Sequence, residues 1–262
     1  MTVPASSVAL GDPAVRAAFR EWLLRIADDE LAIGHRHAEW TGVGPDIESD
    51  VAMSSIAQEE LGHARLLYEQ IAGEAPGAVD RLAFGRPPSE FRNAVLLEQP
   101  NQGWEFSITR LALYEAFESV RFGLLARSGQ EPVAALAATL AREERYHGLF
   151  AATWLERLAG ASVDAGGRVQ AALDVAWPYA LGFFETTDAD GVLLRAGLVS
   201  DSAERQRDVW EAAVRPLLER CALTPPVAEP RLGGRRGVHT PALGEMHAAM
   251  TEVWASDPEA RW

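Results

Sequence analysis

Two Glu-x-x-His motifs, each set in an apolar helical stripe and each preceded about 30 residues earlier by another inward-facing glutamate, constrain this chain more than any other feature. Met53, Ile56, Glu60, His63 and Leu67 are spaced 3, 4, 3 and 4, which places them on one narrow face of a helix. Val133, Ala137, Leu140, Glu144, His147, Ala151 and Trp154 form a second such stripe. Earlier helical segments add Leu23, Ile26, Glu30, Ile33 and His37, then Trp104, Ile108, Leu111, Glu115, Glu118 and Phe122. Glu30 precedes Glu60 by 30 residues and Glu115 precedes Glu144 by 29, so the pattern is an internal repeat, echoed by QEELGH at 58–63 and REERYH at 142–147.

The periodicity and the glycine and proline punctuation predict an all-α chain. Helices are expected from about Pro13 to His37, Asp46 to Ala72 with Gly73 as the stop, Trp104 to Ala126 with a break at Gly129, and Glu131 to Leu158 with a break at Gly160. Residues 74–103, with little periodicity, form a long crossover, and further helices are expected near Gly166–Glu185, Ser200–Cys221 and Pro241–Ala255. Two hairpins joined by one long crossover is a connectivity of the ferritin-like four-helix bundle. The chain is therefore expected to be one domain over 1–262, with a core bundle over about 13–158 and a C-terminal helical extension over about 163–262.

Four carboxylates gathered in one core repel, and an ionised carboxylate in an apolar medium is costly unless paired or metal-bound. Two divalent cations remove that cost. One Glu from each of two helices with Glu-x-x-His from the other two is the di-iron or di-manganese ligand set of such bundles. The candidate ligands are Glu30, Glu60, His63, Glu115, Glu144 and His147, with Glu118 one turn from Glu115 as the competing choice. Carboxylate and imidazole suit iron or manganese, and a single cysteine, Cys221, argues against iron–sulfur and cysteine-type zinc sites. The other reading of the same acids is a vestigial site, kept as paired or protonated core groups.

Composition excludes other classes. With 38 acidic and 24 basic residues, a net charge of −14, the chain lacks the cations that drive nucleic-acid binding. No apolar run approaches the roughly 20 residues that cross a bilayer. The opening MTVPASSVALGDPAVRAAF has no leader pattern, so a cytoplasmic location is expected. His37 is most simply a hydrogen-bonded core histidine, and the tryptophans are core and interface anchors. The tract GGRRG at 233–237 is either a phosphate cradle or a solvated loop. Tyr114 and Tyr146 neighbour ligand positions without a sign of a redox role.

Several landmarks follow from no rule of helix design: EWTG at 39–42, LLEQPN at 96–101, RYH at 145–147, WLERLAG at 154–160 and GGRRGVHTPALGEM at 233–246. By these the chain resembles the C-subunit family of the bacterial ring-1,2-phenylacetyl-CoA epoxidases, within the ferritin-like superfamily. The resemblance implies a subunit that pairs with a catalytic A subunit, whose di-iron centre activates O₂ and epoxidises the aromatic ring of phenylacetyl-CoA with electrons from a separate reductase. It implies contact with phenylacetyl-CoA only through that partner. Familiar C subunits have degenerate metal positions, whereas this sequence keeps all six. If the site is active, Glu30 and His63, with Glu115 and His147, would cap two irons and Glu60 and Glu144 would bridge them. The alternative is a stand-alone di-iron or manganese–iron carboxylate oxygenase. No catalytic residue is assigned beyond the metal ligands.

Overall fold

A computed structural model describes residues 12–73, 75, 77–126 and 131–258, the last of these with side chains from residue 134. Every regular element among the described residues is helical, so the all-α expectation holds. The break expected at Gly129 lies outside the described residues, as does the side chain of Val133 at the end of the fourth stripe. The described residues divide into two compact units: Phe19–Pro100 with the C-terminal stretch from Leu232, and Asn101–Arg231 with the residues from Asp12 to Ala18.

Helix α1 spans Pro13–Ala38, in the first unit from Phe19 onward, and α2 of that unit spans Ile47–Ala72. Asp46 caps α2 by accepting from the Ser49 amide at 2.8 Å, satisfying one of the orphan donors of its first turn. Gly73, at φ +72°, ends it. The intervening EWTG turn is pinned by Asp50, whose Oδ2 accepts from the amides of Gly42 at 2.7 Å and Gly44 at 3.1 Å.

The crossover is more ordered than its sequence suggests. It holds α3 (Ala78–Ala83), a 3-10 turn at Pro88–Glu90 and α4 (Val95–Glu98), each too short to show a 3.6-residue period. It is also part of the core: Phe91, Ala94, Val95, Leu96 and Leu97 are buried. Helix α10, Pro241–Ser256, starts with proline at its first position and packs on α4 and on the 3-10 turn.

In the second unit, α5 (Trp104–Leu125) packs on α6 (Glu131–Ala161) and α7 (Val163–Ala180). Helix α6 does not break at Gly160, whose helical position is open to solvent with no neighbour within 4 Å. The chain turns instead at Ser162, which caps α7 through the Ala165 amide at 3.1 Å. Helix α7 ends at Ala180, short of the expected Glu185, and passes into a 3-10 turn over Leu181–Phe184. A helix the periodicity misses, α8 at Asp188–Arg195, is opened by a capping box between Thr187 and Asp190. Helix α9, Ala203–Arg220, is capped by Ser202 and anchors the unit with Trp210. That indole is fully buried, donates to the Leu113 carbonyl at 3.0 Å and stacks on Trp177 at 4.9 Å. No described helix is long and apolar enough to cross a membrane.

Candidate metal centre

Helix α1 carries Asp28, Asp29 and Glu30 in succession, and all three are 0% exposed. Successive helical residues point about 100° apart, so the three acids face different surroundings. Glu30 shares the buried stripe of Leu23, Ile26, Ile33 and His37, as expected. On α2 the stripe of Met53, Ile56, Glu60, His63 and Leu67 is likewise buried. His63 Nδ1 lies 3.6 Å from Glu30 Oε2. One donor atom each from Glu30, Glu60 and His63 can be chosen within 4.8 Å of one another, close enough to share one ion.

The second unit repeats the arrangement. His147 Nδ1 lies 3.3 Å from Glu144 Oε2 and 3.8 Å from Glu115 Oε1, and donor atoms of the three residues again fall within 4.8 Å of one another. All three are buried. Two carboxylates and one imidazole per set fit a divalent iron or manganese ion, whose charge offsets that of the buried acids.

Glu118, the competitor to Glu115, is committed elsewhere. It forms a buried ion pair with Arg121, whose Nε donates to Glu118 Oε2 at 3.1 Å and whose Nη2 donates to the Tyr114 hydroxyl at 3.4 Å. The Arg121 guanidinium also stacks 5.0 Å over Phe117. His37 is buried but stands outside both sets. Tyr146 is 73% exposed and turned away from His147's side of α6.

The acids flanking Glu30 are held by a network that the sequence patterns do not reveal. Asp28 accepts from both Arg86 terminal nitrogens, from the Tyr68 hydroxyl at 2.5 Å and from the Arg92 amide at 2.7 Å. Burial, then the Asp28 charge, pushes the Tyr68 phenol well above the usual tyrosine value. Burial also pulls the Arg86 guanidinium down, but the charge and hydrogen bond of Asp28 outweigh it and hold the group up. Asp29 accepts from Arg235 Nη1 at 2.7 Å and from the Ala94 amide at 2.8 Å.

Arg235 belongs to GGRRG, and its place is neither of the two expected. The side chain is 3% exposed, and its Nη1 also donates to the Arg92 carbonyl at 2.9 Å. Gly234 and Gly237 press against the crossover so closely that a Cβ on either would strike the carbonyl oxygens of Asn93 and Ser89. Only Arg236 faces solvent. The tract is a clasp between the C-terminal stretch, the crossover and α1. Beside it, Glu98 of LLEQPN is fully buried and saturated with donors: the Thr240 amide at 2.6 Å, the Thr240 hydroxyl at 2.8 Å and Asn93 at 3.0 Å. His239 bridges Glu98 Oε2 at 2.6 Å and the Phe91 carbonyl at 3.0 Å. The one sequence signal for this network is the run of three acids, Asp28 to Glu30, inside an otherwise apolar stretch.

Comparison with known proteins agrees with the landmarks. The family model described as "Phenylacetic acid catabolic protein" matches residues 9–262. The chain is 34% identical over 245 residues to the C subunit of the 1,2-phenylacetyl-CoA epoxidase of Escherichia coli (strain K12), across 92% of this chain and 98% of that relative.

Proposed function

The chain belongs to the phenylacetic acid catabolic protein family, and from that premise we propose that it is one component of a multicomponent phenylacetyl-CoA 1,2-epoxidase and carries a metal site of its own. Its partner is the catalytic di-iron A subunit, and phenylacetyl-CoA is met through that partner in the cytoplasm. The Escherichia coli relative is by name one subunit of an epoxidase, which supports an assembly. What carries the metal reading is the duplicated donor set, two carboxylates and one imidazole, buried in each unit.

The ligands proposed are Glu30, Glu60 and His63 in one unit and Glu115, Glu144 and His147 in the other, with iron over manganese. When bound, such ions would supply redox capacity and neutralise buried carboxylate charge. The chain's own residues do the rest. Glu30, Glu60 and His63 present oxygen and nitrogen donors from two helices, and the surrounding apolar stripe excludes water from them. Glu118, paired with Arg121, leaves Glu115 as the donor from α5.

The complete donor set also favours a second reading, a stand-alone di-iron or manganese–iron oxygenase. Metal analysis of the purified full chain by mass spectrometry tests the site: about two ions per chain are expected, and Glu60→Ala and His147→Ala should each lose them. A metal-free wild-type chain overturns the proposed site. Co-expression with the catalytic partner should yield a stable complex, whereas a chain that stays alone and epoxidises phenylacetyl-CoA overturns the partner role and establishes the second reading.

A further inference from the structure

We propose that Arg235 and Arg86 are positioning residues for the metal half-site on α1. By gripping Asp29 and Asp28 they set the rotation of α1 at Glu30, so that metal binding and docking of the Gly233–Val238 clasp are coupled. The proposal rests on the metal reading given above.

Three observations on one helix carry it. Glu30 is adjacent in sequence to two acids that make no part of its donor set, yet both are completely buried. Each is held by a cation from a distant segment: Arg86 from the crossover, 58 residues from Asp28, and Arg235 from the C-terminal stretch, 206 residues from Asp29. Backbone amides from the crossover complete each grip, Arg92 on Asp28 and Ala94 on Asp29. Helix α1 is thus fixed about its own axis from two directions immediately before the residue that must meet His63.

The magnitude matters because side-chain tips lie about 5–6 Å from a helix axis, so a 10° rotation moves a carboxylate by about 1 Å. A metal donor set tolerates about 0.5 Å. Without the grips, the Glu30 oxygen leaves its place near His63. Coupling is also reciprocal: whatever affinity the clasp adds to metal binding, metal returns as stability of the clasp.

Charge and geometry predict opposite signs, which makes the inference testable. Arg235→Met removes a positive charge near a cation site, and Coulomb attraction alone would then tighten metal binding. Loss of position weakens it. Titration of the full-length chain with Co(II), followed by the visible absorption of the bound ion, should show affinity falling about tenfold or more in Arg235→Met, with Arg235→Lys intermediate because it restores one donor to Asp29. In the wild-type chain Co(II) should slow hydrogen exchange at the amides of Arg236, Gly237 and Val238, which bond back to Gly233 and Gly234, and should not do so in Glu60→Ala. Should Arg235→Met fail to fold, Arg235→Gln removes the same positive charge on a shorter side chain and carries the same test and the same expected weakening.

Unchanged or tighter Co(II) binding in a folded Arg235→Met, or exchange at the clasp indifferent to metal, overturns the coupling while leaving the site intact. A wild-type chain that binds no Co(II) overturns the metal reading and the coupling with it.

Discussion

The two units carry the same donor pattern and support it by opposite means. Around Glu30 the support is polar and long-range: ion pairs of Asp28 with Arg86 and Asp29 with Arg235, and hydrogen bonds of Glu98 with His239 and Thr240. Around Glu115 it is chiefly aromatic. Phe117 stacks on Phe183 at 4.7 Å, Trp177 stacks on Trp210 at 4.9 Å, and a buried ion pair, Glu118 with Arg121, is local to α5. A duplicated site therefore does not require a duplicated scaffold. Helical spacing alone presents the donors, and each unit is free to brace them differently.

The largest effects should come from breaking each brace. Removing one partner of a buried ion pair leaves an uncompensated charge and costs about 3–5 kcal/mol, the loss expected for Arg235→Met in urea unfolding. Trp210→Ala removes a fully buried indole, and a cost of about 3–5 kcal/mol is expected there too. The rescue should differ. Asp29→Leu added to Arg235→Met removes the stranded charge and should recover part of the stability, the Ala94 amide losing its acceptor. For Trp210→Ala no charge is stranded, so only restored volume helps. Equal behaviour of the two units in this cycle would erase the distinction between them. The rescued double variant should still bind Co(II) weakly, separating stability from position.

The distinction also marks what the sequence makes legible. Helices α1 and α2 and the caps at Asp46 and Gly73 follow from local pattern, and the six candidate donors lie buried on the stripes that spacing assigns them. Helix α8 was within reach, because Thr187 and Asp190 spell a capping box. The crossover was harder, since its helices are shorter than two turns. The clasp was out of reach. An ion pair between residues 206 apart leaves no periodic trace, and GGRRG looks the same whether its arginines meet phosphate, water or a buried aspartate.

A smaller effect sharpens the same contrast through the backbone. Gly237 sits at φ +75° against the Ser89 carbonyl, so Gly237→Ala adds both left-handed strain and a collision and should cost about 1–3 kcal/mol. Gly160, in the exposed end of α6 with nothing within 4 Å, is the opposite case. Gly160→Ala should stabilise by about 0.5–1 kcal/mol, because alanine loses less conformational entropy in a helix. Urea midpoints of the two variants should move in opposite directions. A stabilised Gly237→Ala would mean that the clasp does not press on the crossover.

The smallest effect is a pH dependence on the ionic side. Tyr68 is fully buried against Asp28, and its phenol is raised well above the usual value. In the unfolded chain the same group ionises near pH 10. Between the unfolded and folded values the unfolded state has lost a proton that the folded state keeps, so stability is fully present below pH 10 and falls as pH rises. The expected loss is about 0.4 kcal/mol at pH 10 and roughly twice that half a unit higher. Tyr68→Phe removes the titrating group and should flatten that part of the profile, whatever it costs by deleting the hydrogen bond to Asp28. Thermal midpoints of both chains from pH 8 to 10.5 measure it. Parallel profiles would mean that Tyr68 ionises as readily in the folded chain as in the unfolded one, and that the ionic brace leaves the phenol accessible to solvent.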